Sequence, residues 1–422
     1  MKKNVIALEC STSSVKIAVG YELDGEVIVN YAAKKNLPSG VIFGNQIGDE
    51  EYLSKQIVEL VQDAKKTLKM DAYEVNLLLP PMGFEIYVNQ QSTNVVSENG
   101  IVADTDIRNV EMLLIRSEYG NADNVVVDII PQYYVLDDNR AVMTPPKGEI
   151  SFYLGMRAYV HVLPNEIRNR FHEVVRHAGL KVSHSSVTPY AIAQLLESPA
   201  YKEGQETPNF YCLVDYGAKY TIVTIISKGL PIRSTYFELG SQDLTERISS
   251  KFHVTQQEAE ELKELYGLDQ SEHTYRPTIS KMKDEEGKTI RFTVSDINEL
   301  VIEHLNTLMD DLVRAIRSMF KEEEGSQPLT LVFVGGGSSL NGFLPYMQTR
   351  TQHHIQSVYL RNIGARDLSY AAVLGMLKIA SLKQVVDQNE DRRVLNLSRK
   401  NETNKESKKE NKRRYSDTDD RL

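Results

Sequence analysis

Three short turns carry residue types that suit phosphate, and each leaves an apolar run. Glu9-Cys10-Ser11-Thr12-Ser13 follows Val5 to Leu8. Asp215-Tyr216-Gly217-Ala218-Lys219-Tyr220-Thr221 follows Tyr211 to Val214. Gly335-Gly336-Gly337-Ser338-Ser339 follows Leu329 to Val334. A turn at the end of a buried strand presents backbone N–H groups that can cradle an anion. Glycine lets the anion approach the backbone closely. Any one of these is also an ordinary hairpin turn; the set of three points to a phosphate cradle. A further charged pair, Glu260 and Lys263, lies one helical turn apart. Taken alone, that spacing is that of a solvated i,i+3 pair.

The elements that must position these turns follow from periodicity. Val5 to Leu8 and Val15 to Val19 read as two strands around a polar turn, and Tyr211 to Val214 with Thr221 to Ser227 repeat that plan. Two similar halves facing each other are a way to make a hinged cleft. Ile57, Leu60, Val61, Ala64 and Leu68 predict a helix within 47–70. Val75 to Leu79 predicts a buried strand stopped by Pro80-Pro81. Between Phe84 and Val162 the texture changes to short strands (Val125 to Ile130, Tyr133 to Leu136, Ala158 to Val162) and one helix from Asp104 to Ser117, a small inserted α+β module. Helices are predicted over 164–179, over 188–196 with Pro189 in the first turn, and over 244–251, 255–266, 296–320 and 369–382. The stretch from Glu197 to Pro208 reads as a linker. Beyond about Val394 the apolar periodicity is lost, and Arg399 to Leu422 reads as a disordered charged tail.

Composition narrows the classes. The chain has 422 residues, 41% of them hydrophobic and 25% charged, enough for two to four packed domains. Its 49 basic and 58 acidic residues give −9, which argues against a nucleic-acid partner. The two cysteines, Cys10 and Cys212, sit in strand-like runs and read as buried thiols of a reducing compartment. They cannot make a zinc site alone. His353-His354 reads as a surface pair, and no histidine or carboxylate spacing suggests a catalytic metal. Glu9 and Lys16 interrupt the apolar start too early for a signal peptide. No run approaches the roughly 20 apolar residues of a spanning helix. The expectation is a soluble α/β protein.

Several of these segments resemble a known family in order along the chain. Val5 to Gly20 resembles the first phosphate hairpin of the actin-like ATPases, in particular the bacterial cell-division family FtsA. Ile129-Ile130-Pro131-Gln132-Tyr133 is similar to the Ile-Pro-Gln-x-Tyr strand of that family's inserted subdomain. Gly240 to Gly267 is similar to its nucleotide-sugar helices, Gly335 to Gly342 to its adenosine loop, and Tyr370 to Gly375 to its closing helix. The resemblance implies an actin-like two-domain, ribonuclease H-like α/β fold with an inserted α+β subdomain. It implies domain 1A from 1–83, 163–205 and 366–393, subdomain 1C from 84–162, domain 2A from 206–245 and 325–365, partner-binding subdomain 2B from 246–324, and the tail from 394–422.

It also implies ATP and Mg²⁺ at a degenerate site. Ser11, Thr12, Ser13, Asp215, Gly217, Lys219, Gly335, Gly336, Gly337 and Ser338 would hold phosphates and adenosine, with Glu260 and Lys263 at ribose and adenine. Asp215 would hold Mg²⁺ through water, since that ion keeps several waters and few carboxylates. The departures concern hydrolysis. Glu9 stands where the family has Asp, and Ser11 where it has Gly. Lys219-Tyr220-Thr221-Ile222 replace Gly-Thr-Thr-Asp. Thr188 stands where a Glu or Gln orients the attacking water. Lys219 either pairs with a phosphate or occupies the site by bonding Glu9 or Asp215. Nucleotide binding is expected, with weak hydrolysis or none. By the same resemblance the partners would be the C-terminal tail of FtsZ, held by Val301, Ile302, Leu305 and Met309, further copies of the chain in filaments, and other division proteins through 1C. The resemblance places the protein in the cytoplasm, peripheral at the inner face of the cell membrane at the division site. Alternatives within the superfold are a pilus-assembly type adaptor that has lost FtsZ and an active ATPase or kinase.

Overall fold

A computed structural model describes residues 3–116, 123–137, 139–198, 201, 208–268, 278–283, 289–320, 329–356 and 358–382. The predicted tail, and part of the predicted linker, lie outside the described residues.

Near-continuous apolar burial sets the two opening strands, which lie inside the sheet. β1 (Val5–Cys10) and β2 (Ser14–Leu23) pair antiparallel in register Val5 with Gly20 through Cys10 with Val15, and β3 (Glu26–Asn36) continues the meander. A small hairpin, β4 (Ile42–Phe43) and β5 (Gln46–Ile47), follows. The chain then enters α1 (Glu50–Leu68), capped by Asp49, whose side chain accepts from the Tyr52 N–H at 2.9 Å. Of the spacing read from the sequence, α1 buries Ile57, Leu60, Val61 and Ala64 and half-buries Leu68, and Leu53 joins them inside. β6 (Glu74–Leu79) runs parallel to β1 and stops at the two prolines.

The next stretch folds as its own four-stranded sheet. It consists of β7 (Glu85–Asn94), α2 (Asp104–Ile115), β8 (Asn124–Leu136), β9 (Ala141–Val142) and β10 (Tyr153–Pro164), with strand order β7-β10-β8-β9. Here one expectation is corrected. Val125 to Ile130 and Tyr133 to Leu136 are not two strands but one, which runs through Pro131. The ladder accommodates the proline's missing N–H with a register shift between Arg157 and Ala158, where Pro131 faces Ala158 and Gln132 is bulged out. Val102, Val110, Leu114, Met156 and Val160 close a separate small core under this sheet.

The chain returns through α3 (Asn165–His177) and β11 (Lys181–Val187) to the first sheet, whose order is β11-β6-β1-β2-β3. α4 (Thr188–Leu196) follows, with proline in its first turn. The second half then repeats the plan. β12 (Phe210–Tyr216), β13 (Thr221–Ser227) and β14 (Leu230–Phe237) form an antiparallel meander. α5 (Ser241–Phe252), α6 (Gln256–Tyr266), β15 (Thr278–Lys283), β16 (Thr289–Thr293) and α7 (Val294–Met319) come next. β17 (Thr330–Val334) joins β12 in parallel, and after α8 (Phe343–Arg350) β18 (His354–Gln356) completes the order β14-β13-β12-β17-β18. The two five-stranded sheets therefore share one topology, as the repeated strand-turn-strand pattern predicts. His353 is not a plain surface residue: its Nδ1 accepts from the Leu329 N–H at 3.0 Å.

The two halves meet along α4 and a last helix over 371–382. Ala191, Leu195, Ala372, Val373, Met376 and Leu377 pack there with Ala7, Leu213 and Val332. The crossing is so close that a β-carbon at Gly375 would lie 1.9 Å from the Ala191 carbonyl oxygen, so only glycine fits. Among the described residues no helix is long and apolar enough to cross a membrane.

Candidate functional site

The two sheets aim their equivalent turns at each other, and between them lies a cleft of about 1070 Å³. Its walls include Glu9, Cys10, Ser11, Thr12 and Ser13 from the first turn, Asp215 and Gly217 from the second, Gly335, Gly336 and Gly337 from the third, and Thr188, Glu260 and Lys263. Residues separated by more than 300 positions in the chain thus share one cavity.

Each turn is held rigid by its own bonds. In the first, the Ser11 N–H and hydroxyl both donate to the Ser14 carbonyl, at 2.9 Å each, so that hydroxyl is engaged within the turn while Thr12 and Ser13 line the space. In the second, the Gly217 N–H donates to the Tyr220 carbonyl at 3.1 Å. The start of α5 clamps the same loop, Ser241 N–H to Gly217 O and Gln242 N–H to Ala218 O. In the third, Gly335 takes φ +86°, and a β-carbon there would lie 2.4 Å from Asp215 Oδ1 and 2.5 Å from the Tyr216 carbonyl oxygen. Glycine is required both by conformation and by the contact that brings the third turn against the second.

At the floor sits a charged group whose centre the sequence reading overlooked. Lys16 on β2 is 4% exposed, and its Nζ lies 3.1 Å from Glu9 Oε2. The contact is out of line for a hydrogen bond, so it is an ion pair that leaves this buried oxygen without a hydrogen-bond partner. Across the cleft, burial first and then the Glu9 carboxylate push the Asp215 carboxyl up to about 7, against the opposing pull of Lys16. The signal for Lys16 is a lone cation inside the apolar run Val15-Lys16-Ile17-Ala18-Val19.

These residues fit a cation with phosphate oxygens better than a bare metal. Two largely buried carboxylates share the single cation Lys16, and one has an oxygen lacking a hydrogen bond. Yet among the described residues no group of three or more His, Cys, Asp or Glu could hold a metal ion unaided. Mg²⁺ held by one or two carboxylates, with phosphates and water completing its shell, matches that donor set. Asp215 and Glu9 would hold it, and Lys16 would face the phosphate.

The Glu260–Lys263 pair is not simply solvated. Lys263 is 5% exposed, and its ammonium donates to Ser241 O (3.2 Å), Thr245 Oγ1 (2.8 Å) and Glu260 Oε2 (2.7 Å). All three donors are satisfied, so the lysine ties α6 to α5 while its stem walls the cleft. Thr188 also lines the cleft, its hydroxyl donating to the Leu79 carbonyl at 3.4 Å.

Other expected contacts go elsewhere. Lys219 bonds neither Glu9 nor Asp215. It reaches outward to Glu246 and is not among the lining residues, because the turn points its side chain toward the acidic face of α5. Ser338 turns its hydroxyl back to the Val334 carbonyl at 2.7 Å, capping the 3₁₀ turn of Gly336–Ser339, and Ser339 and Leu340 face the cleft instead. Val301, Leu305 and Met309 do not wall a groove. They are buried with Leu308 and Leu312 in the core beneath the second sheet, and Ile302 is half-buried beside it. The outward face of α7 carries Glu299, Glu303, Thr307, Asp310 and Arg314.

Comparison with known proteins agrees with this architecture. Residues 212–375 match the family "Cell division protein FtsA". The cell division protein FtsA of Streptococcus pneumoniae is 23% identical over 383 residues, covering 88% of this chain and 79% of its own. That of Bacillus subtilis is 22% identical over 391 residues, covering 89% and 83%. Among solved structures, the PilM–PilN type IV pilus biogenesis complex superposes with TM-score 0.60 at 17% identity, covering 89% of this chain and 98% of the other. MreB5 of Spiroplasma citri bound to ADP superposes with TM-score 0.52 at 13% identity, covering 92% and 98%. The solved structures carry the fold, which is actin-like, and the family match and the relatives make the chain similar to FtsA.

Proposed function

We propose that this protein is a cell-division scaffold that binds MgATP in the cleft, hydrolyses it slowly or not at all, and uses it to set the angle between its halves. The observation that carries the reading is the meeting of three phosphate-type turns around Lys16, Glu9 and Asp215 in one cleft. The FtsA relatives support the division role. The nucleotide would supply phosphate charge to the cationic and backbone donors, and would touch both halves. Its action is then through population rather than turnover, because it favours whichever interdomain angle lets both walls touch it. Weak hydrolysis follows from Thr188, whose short hydroxyl is a poor base and is directed at the Leu79 carbonyl.

On this reading, 1–83, 163–205 and 366–393 act as domain 1A, 84–162 as 1C, 206–245 and 325–365 as 2A, and 246–324 as 2B. The protein self-assembles into filaments, binds the FtsZ tail and links the division ring to the membrane from its cytoplasmic face. The burial of Leu305 and Met309 moves the peptide surface onto the outward, charged face of α7 beside Ile302.

The test is calorimetric titration of the full chain with MgATP, alongside phosphate release and FtsZ-tail peptide binding at low and high ionic strength. Micromolar nucleotide binding with near-zero turnover supports the reading. Absence of binding, or turnover near the ~10 s⁻¹ enzyme median, overturns it. A tail peptide that fails to bind at any salt removes FtsZ as partner and leaves the nucleotide scaffold standing.

A further inference from the structure

The mouth of the cleft is bridged by a contact that the three turns do not account for. Tyr220 ends the second turn, on the side of the second sheet. Gly44 lies at the tip of the β4–β5 hairpin, on the side of the first. The Tyr220 ring and hydroxyl rest on the Gly44 backbone: a β-carbon at position 44 would lie 3.0 Å from the hydroxyl oxygen and 3.3 Å from the ring carbon bearing it. Gly44 holds φ +57°, so the bare backbone is presented by a left-handed turn that favours glycine. Both residues line the cavity.

Each side of the contact is tied to a phosphate-type turn. The strap over 37–48 is anchored at its start by the Leu37 N–H donating to the Ser13 carbonyl at 2.8 Å, and folded on itself by Gly48 N–H to Val41 O at 2.9 Å. Tyr220 is braced edge-on against Tyr236, ring centroids 6.0 Å apart, and its carbonyl holds Gly217. A movement of either turn is therefore felt at the contact.

We propose that Tyr220 and the 37–48 strap form a latch across the cleft, and that a ligand enters and leaves only when it opens. The contact joins the two halves at a point separate from the α4 crossing at Gly375. Rotation about that crossing would separate Tyr220 from Gly44, while the shared core at the crossing stays packed. The latch stands on the geometry alone; that the ligand it retains is a nucleotide rests on the proposed function.

Cys10 offers a readout that needs no ligand. It lines the cleft at 6% exposure, whereas the other thiol, Cys212, is wholly buried in the second core. The experiment measures maleimide labelling of each cysteine in the full chain by peptide mass spectrometry. Tyr220→Ala removes the ring, and Gly44→Asn, a residue that tolerates the left-handed turn, pushes it away from the opposite side. Each is expected to speed Cys10 labelling about fivefold, the scale of one lost aromatic contact, with Cys212 unlabelled. Tyr220→Phe, which keeps the ring, should label close to the wild-type rate. Unchanged Cys10 labelling in either variant while Cys212 stays protected overturns the latch. If Cys212 also labels, that variant has opened globally, and the other variant decides; if both do, a Phe variant labelling Cys10 as fast as the Ala variant overturns it. Adding MgATP to the wild type separates the two readings: protection of Cys10 supports the nucleotide, and no protection removes the nucleotide while leaving the latch to stand on its variants.

Discussion

Asp215 shows how a single side chain records its surroundings. Its carboxyl is held near 7 by burial and by Glu9. The folded value lies above the unfolded one of 3.8, so the folded state favours the proton. The associated stability is fully present below pH 3.8 and is lost as pH rises through about 7. Asp215→Asn should therefore stabilise the metal-free protein at pH 8, by on the order of 2 kcal/mol once partial exposure is allowed for, and should make little difference at pH 4. Thermal melts at both pH values check this; equal effects at the two would mean that the charge is compensated. Thr188 makes the complementary case. Thr188→Glu should raise phosphate release above the wild type, because it restores a longer side chain able to orient water. A variant that binds nucleotide but turns over no faster would show that Glu9 or the second turn, and not position 188, sets the limit.

At the scale of elements, α7 is a core helix before it is a surface. Leu305 is fully buried among Leu308, Leu312 and Ile316. Leu305→Ala should cost about 3 kcal/mol through lost burial and the cavity left behind, read as a lower denaturation midpoint, and should leave the outward face of α7 unchanged. A variant that weakens peptide binding with no loss of stability would return Leu305 to a groove. The same helix carries His304, 1% exposed, whose Nε2 meets the Tyr216 hydroxyl at 2.8 Å. Burial, with Arg247 and Lys263 nearby, lowers it to about 4. Here the folded value lies below the unfolded one of 6.5, so the unfolded chain takes the proton first. Stability from this residue is present above 6.5 and falls as pH drops toward 4. His304→Gln should flatten that part of the stability–pH curve; an unchanged slope would assign it to other groups.

For the whole molecule, the cleft makes ligand binding and interdomain stability one quantity. A nucleotide touching both sheets would bind only the folded, assembled cleft, so it should stabilise the fold by about 2.7 kcal/mol at a hundredfold excess over Kd and raise the melting temperature with concentration. Differential scanning fluorimetry with and without MgATP measures it. A flat response at millimolar MgATP would mean that the walls do not close on it.

Much of this plan was legible without coordinates. Strand alternation, helical spacing and two similar strand-turn-strand units imply two like sheets, since an apolar stripe must be buried wherever it occurs, and Val5 to Val19 and Tyr211 to Ser227 carry that stripe locally. The glycines of 335–337 and the acid at 215 are legible as residue types in turns that follow apolar runs, although the contact that demands glycine at 335 comes from the second turn. What only the tertiary structure decided is direction and company. Lys219 sits in the right turn but points to Glu246; Ser338 caps its own strand; Lys16, which looked like an interruption, became the buried cation of the site. The apolar stripe of α7 announced a buried face but not what would cover it, and the second sheet took it before any partner could. Spacing along a chain fixes which residues share a face, whereas the partner each charge meets is set by how the elements pack, as for Asp215 and Glu9 across the cleft, and no local pattern records it.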